Sequence, residues 1–134
     1  NEDIVMIGIS ERTSLEAIEL IVPYIFEQSF QKVIAVDLPK ERAMMHLDTI
    51  FTQTSHNEGI LFNHENYNIE NLDIYMACKN SKSNKMSKQK FKFIDILKDF
   101  NFNLISCGGN KNNFKLKIYL ECVDFMVLVQ EGNE

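Results

Sequence analysis

The chain's first apolar run, Ile4-Val5-Met6-Ile7-Gly8-Ile9, has no polar interruption and predicts a buried strand. Leu15, Ile18, Val22, Ile25 and Phe26 then recur at helical spacing, which predicts a helix from about Ser14 to Gln28. Thr13-Ser14-Leu15-Glu16 has the form of a capping box at its start. Pro23 lies inside this stretch; a proline there costs about 3 kcal/mol or more, so a kink or an early stop near Val22 is expected. Lys32 to Asp37 (KVIAVD) reads as a short β-branched strand and Pro39 as a turn. Met44 to Thr52 (MMHLDTIFT) reads as a further strand, with Gly59 to Phe62 as a possible hairpin partner. From Asn63 to Lys90 the chain is rich in Asn, Lys, Ser and Glu, which predicts loop or a loosely attached insert. Helical spacing returns over Phe91 to Phe100, Asn103 to Ser106 reads as a strand entering a Gly108-Gly109 turn, and Val123 to Val129 as a last strand. There is no internal repeat, and the order of elements is that of an α/β fold.

Composition narrows the class. A chain of 134 residues with 45% hydrophobic content is about one domain with enough apolar matter for a core. The net charge of -5 gives no blanket attraction to nucleic acid or anionic lipid, and no apolar run is long enough to span a membrane. A soluble protein is expected, with neither nucleic acid nor membrane as partner. Cys78, Cys107 and Cys122 are odd in number and lack Cys-x-x-Cys spacing or nearby histidines, so they indicate neither a disulfide framework nor a zinc site. A reducing cytoplasm fits them best. The chain begins at Asn1 without a leader and runs directly into a strand, as if it started inside a longer protein or had lost a tag.

Three features could carry chemistry. On an extended segment His46 and Asp48 would share one face while Met45, Leu47 and Phe51 share the other, pairing a proton shuttle with a carboxylate. Arg12 sits where the first strand runs into the helix, and its planar fork suits capture of a carboxylate. Lys79, Lys82, Lys85, Lys88, Lys90 and Lys92 hold six of the 14 basic residues. They alternate with Ser and Asn rather than with stacking aromatics, so a solvated loop explains them better than a phosphate site. Taken singly, the histidine reads better as a satisfied polar group and the arginine as a surface partner of Glu11 or Glu16.

The order of the motifs changes this. Residues 7–14 (IGISERTS), residues 39–52 (PKERAMMHLDTIFT) and, more weakly, residues 104–109 together resemble the arginine deiminases of the guanidino-group-modifying (pentein) superfamily. The resemblance implies a five-bladed α/β-propeller of ββαβ units, of which this chain would supply about two. It implies hydrolysis of L-arginine to citrulline and ammonia without metal or cofactor: a cysteine thiolate attacks the guanidinium carbon and water resolves the covalent intermediate. In this correspondence His46 is the general acid/base, Asp48 hydrogen-bonds the guanidinium, and Arg12 grips the substrate α-carboxylate.

The family's Glu-Gly-Gly-Asp segment, which carries a second catalytic acid, and its nucleophilic cysteine in a Gly-Gly-x-x-Cys-type context have no counterpart here. Residues 1–134 are therefore expected to be a partial arginine deiminase-like domain, with residues 63–90 an insert and 110–134 a diverged tail. The chain alone is expected to be inactive for want of the nucleophile and the upstream acid. The alternative is a catalytically dead remnant that binds guanidino compounds or a partner subunit. Open strand edges predict a homo-oligomer, or pairing with the missing part of the propeller. A small α/β domain with accidental matches is the blandest option.

Overall fold

The computed structural model describes residues 3–64, 66–81, 83 and 85–107. Strand β1 (Ile4–Ile9) lies parallel to β2 (Lys32–Asp37), and the helix joining them, α1 (Leu15–Glu27), covers one face of the pair. Parallel neighbours need such a crossover, since a tight turn only reverses direction. Strand β3 (Phe51–Ser55) forms an antiparallel hairpin with β4 (Glu58–Phe62). Strands β5 (Asp73–Cys78) and β6 (Ser87–Lys92) extend the first sheet in the order β1-β2-β5-β6. Helix α2 (Phe93–Asp99) then leads to β7 (Asn103–Cys107), which lies parallel to β4 and completes a second sheet, β3-β4-β7.

Period-two alternation explains how the first sheet is covered on both sides. Ile7 and Ile9 of β1, Val33 and Ala35 of β2, and Tyr75 and Ala77 of β5 face α1, which presents Leu15, Ile18, Val22, Ile25 and Phe26. Their neighbours Ile4, Met6, Ile34, Val36, Ile74 and Met76 face the opposite way, onto the second sheet and α2. The result is three layers with an apolar core on each side of the central sheet.

The predicted first helix forms, with two local differences. Its N-cap is Ser14, whose Oγ accepts from the Ala17 amide at 3.1 Å, so the third helical position is Ala17 and no capping box closes. Pro23 neither stops nor truncates it, and helical structure continues to Glu27. Burial explains this: Ile18 and Val22 before the proline and Phe26 after it are sealed against the sheet. At about 1.5–3 kcal/mol per buried side chain they offset the proline's cost.

Residues 63–90 are not simply a loop. Their apolar kernel, Ile74 to Ala77, is a strand wedged between β2 and β6. The whole strand is only six residues long and is submerged in a composition of Asn, Lys and Ser, and β6 (SKQKFK) reads as polar because among the described residues it is an edge, where lysines discourage further pairing. Lys88 and Lys92 are likewise not idle: both pair with Asp73 across the strands, Lys88 at 3.3 Å. These contacts, Lys92 foremost, hold the Asp73 carboxyl below its ordinary value against the opposing pull of burial. A depressed carboxyl stabilises the fold above its unfolded value of about 4 and loses that contribution as pH falls through the lower folded value. Accordingly, urea unfolding should show wild type more stable than Asp73→Asn by up to about 1 kcal/mol at pH 7. The gap should hold down to about pH 4 and close only at lower pH.

The predicted turn at Gly108-Gly109 and strand at Val123 to Val129 lie outside the described residues. Among the described residues no helix is long and apolar enough to cross a membrane.

Candidate active site

Because β1 and β2 run parallel and in register, Ile9 beside Asp37, both leave the sheet at the same end. The Leu38 amide donates to the Ile9 carbonyl at 3.0 Å and ties the two exits together. Loops at the carboxyl ends of parallel strands are where α/β sheets most readily build sites. One exit carries Arg12. There the Ser10 amide donates to the Thr13 carbonyl at 2.9 Å and the Arg12 amide to Ser10 Oγ at 3.1 Å, fixing the turn from which the exposed arginine projects.

The other exit carries His46 and Asp48, and here the expectation of a strand is overturned. Residues 42–44 and 47–49 form two 3-10 turns, and extended pairing begins only at Phe51. A strand would have turned Met44, His46, Asp48 and Ile50 to one side and driven two ionisable groups into the core. Instead Met44 closes the first turn, and three residues per turn bring Leu47 and Ile50 to the same side of the second. Met44 and Ile50 are buried and Leu47 packs on the same cluster, while His46 and Asp48 stay exposed. The turn is closed by the Thr49 amide and Oγ1 on the His46 carbonyl, at 3.1 and 2.6 Å, and by the Ile50 amide on Leu47. His46 and Asp48 are therefore not companions on a strand face; they share one short loop.

That loop sits directly over β1. A Cβ added to Gly8 would come within 2.6 Å of Leu38 Cδ1 and 3.2 Å of the Leu47 amide nitrogen, so the missing side chain is what lets the two exits touch. A pair of residues, one of them outside every motif, braces the same loop. Tyr67 Oη donates to Glu41 Oε1 at 2.7 Å, just ahead of the first 3-10 turn. This bond to a carboxylate, with help from burial and from the carboxylate charge, pushes the Tyr67 hydroxyl above its usual value. Glu41 lies within the 39–52 motif and was open to notice; Tyr67 lies in the stretch expected to be loop.

Asp48 opens onto a cavity of about 330 Å³ walled by Met6, Phe51, Phe100 and Phe102 among others, with Gln53 as the second polar side chain. Arg12 and His46 are not part of its wall. Among the described residues the side chains of Arg12, His46 and Asp48 carry no hydrogen bond or ion pair, so the expected surface pairing of Arg12 with Glu11 or Glu16 is not seen. Among the described residues no three His, Cys, Asp or Glu side chains are grouped to hold a metal ion. Cys78 ends β5 opposite Lys32, the first residue of β2, and so lies at the far end of the sheet, roughly 16 Å of strand from Asp37. Cys107 pairs through its backbone with Phe62, and Cys122 lies outside the described residues.

The arginine deiminase sequence profile matches residues 1–126, past Gly109, where legible motifs end. The chain belongs to the arginine deiminase family. It is 35% identical over 116 residues to the arginine deiminase of Borreliella burgdorferi (strain ZS7), covering 81% of this chain and 28% of that protein. The Mycoplasma capricolum arginine deiminase is 37% identical over 116 residues (82% and 28%), and that of Borrelia recurrentis 38% over 117 residues (81% and 28%). The chain thus spans just over a quarter of the length of these curated relatives.

Proposed function

We propose that this chain carries part of the active site of an arginine-hydrolysing enzyme, converting L-arginine and water to L-citrulline and ammonia. What supports this is that β1 and β2 leave the sheet at the same end, with Arg12 following one strand and His46 and Asp48 following the other. Asp48 receives the guanidinium N–H groups, and Arg12 holds the α-carboxylate with its planar fork. A thiolate attacks the guanidinium carbon; as the carbon–nitrogen bond breaks, His46 gives a proton to the departing ammonia. His46 then takes a proton from water, which attacks the same carbon and expels the thiolate with formation of citrulline. No metal or cofactor takes part.

The nucleophile has no assigned source in this chain: Cys78 is at the opposite end of the sheet, and Cys107 does not fall where the family keeps its nucleophile. The chain by itself is therefore inactive, and turnover requires a nucleophile and a second acid from elsewhere. The remainder comes from the other blades of a five-bladed propeller of which this chain forms about two units. Within the described residues β1 has a strand on one side only although its run is wholly apolar, which favours pairing with those blades or with another copy. A cytoplasmic setting suits the free thiol of Cys78.

The test is a citrulline assay on the chain together with arginine binding by calorimetry. No citrulline is expected, and Arg12→Ala or Asp48→Ala should each weaken arginine binding by about tenfold. Citrulline formation that disappears in Cys107→Ala would place a nucleophile in this chain and overturn its inactivity. Binding without turnover, even when the other blades are supplied, would favour a second reading, a catalytically dead remnant that acts as a binding or oligomerisation protein.

A further inference from the structure

Alternating polarity over residues 44–52 suits a strand, yet the segment folds as two 3-10 turns and enters β3 only at Phe51. Burial of Met44 and Ile50 favours the turns at either end. His46 and Asp48 between them are exposed, so the backbone beneath them is held chiefly by hydrogen bonds.

Two of those bonds come from threonine hydroxyls, and they land on the backbone of the two site residues themselves. Thr49 Oγ1 donates to the His46 carbonyl at 2.6 Å, beside the bond at 3.1 Å from its own amide. Thr52 Oγ1 donates to the Asp48 carbonyl at 3.2 Å. Thr52 already belongs to β3, where it lies opposite Ile60, so its hydroxyl ties Asp48 to the hairpin. Neither bond can form in an extended chain, where residues three or four apart are separated by roughly 10–13 Å. Each hydroxyl therefore favours the turn over the strand by the worth of one hydrogen bond, the kind of local competition in which threonine excels.

We infer that Thr49 and Thr52 are positioning residues: their hydroxyls hold the 46–50 backbone in the turned form that keeps His46 and Asp48 exposed at the site, and L-arginine affinity depends on them. They act through His46 and Asp48 rather than on the ligand, so the inference rests on the proposed function for what is bound and adds what holds the binding groups in place. Valine and serine divide threonine cleanly. Valine keeps the β-branch and the volume but loses the hydroxyl, and it is at least as good a strand former. Serine keeps the hydroxyl and loses the methyl group.

The experiment is calorimetric titration of the 134-residue chain, in whatever assembly it forms, with L-arginine, together with urea unfolding and backbone NMR shifts over residues 46–50. Thr49→Val and Thr52→Val should each weaken L-arginine by about threefold to tenfold, the range for one lost hydrogen bond. Thr49→Ser and Thr52→Ser should stay within about twofold of wild type, since the hydroxyl remains. The shifts should move toward extended values in the valine variants and keep turn values in the serine variants. The unfolding midpoint of Thr52→Val should not fall, because an exposed strand position accepts valine readily, so its weaker binding cannot come from misfolding. The reverse pattern, native binding with valine and loss with serine, assigns the role to the methyl groups and overturns the inference, as does native affinity with turn-like shifts in both valine variants. If Asp48→Ala leaves L-arginine binding unchanged, the functional reading falls instead; extended shifts in the valine variants then still support the hydroxyls' hold on the turn, and turn-like shifts overturn it.

Discussion

Phe93→Ala should lower the free energy of unfolding by about 3–5 kcal/mol, a loss as large as any expected from a single truncation among the described residues. Phe93 is fully buried at the start of α2, where the second sheet meets the first. Its ring stands edge-on to Phe51 at 5.9 Å, and Phe51 in turn stands edge-on to Phe102 at 5.6 Å. Truncation removes the buried area, leaves a cavity in a layer with little freedom to collapse, and breaks an aromatic pair worth about 0.5–1.5 kcal/mol beyond its area. The Phe93 amide still donates to the Leu72 carbonyl at 3.0 Å, so the helix start keeps its tie and the loss should register as packing. The check is urea unfolding: the midpoint should fall with the slope unchanged. As a control, Leu20→Ala on the outer side of α1, where Leu20 is 75% exposed, should stay within about 0.5 kcal/mol. A loss below about 1 kcal/mol for Phe93→Ala would mean that the second sheet is not packed on the first as described here.

Legibility in the sequence followed how far each element's energetics are local. Lys32 to Asp37 was plain because four consecutive residues, Val33 to Val36, are buried from both sides, leaving an unbroken apolar run. The stripe of α1 was plain for the same reason, and its survival past Pro23 was not, because the compensating burial of Phe26 comes from a sheet that only tertiary structure supplies. Strand β5 was invisible because its pairing with β2 is non-local and its flanks are polar. The site divided similarly. Residue types and order drew attention to Arg12, His46 and Asp48, while their geometry was misjudged: alternating polarity over 44–52 suits a strand, and only a core reaching Met44, Leu47 and Ile50 at once selects the two turns. Tyr67 left no local trace, because what distinguishes it is where its hydroxyl happens to land.

Gly8→Val should damage both the fold and the proposed arginine site, and it separates packing from placement. Gly8 is the next-to-last residue of β1, on the face that looks toward Leu38 and Leu47. Even one Cβ would press to 2.6 Å on Leu38 Cδ1, and Leu38 is itself buried at 2% exposure, so it has little room to turn aside. The Leu47 amide nitrogen at 3.2 Å is backbone and cannot rotate away; it can be relieved only by lifting the 3-10 turn that carries Asp48. Valine should therefore cost about 2–3 kcal/mol or more by overpacking. It should also weaken L-arginine at least as much as Arg12→Ala does, because it shifts the loop from which His46 and Asp48 both project. Gly8→Ala is the finer instrument. Its single methyl leaves most of the core intact, so urea unfolding should change by less than for valine while arginine binding still falls. Native arginine affinity in Gly8→Val would mean that contact between β1 and the 46–48 loop does not set the site, and the proposal that strand exits assemble it would then fail.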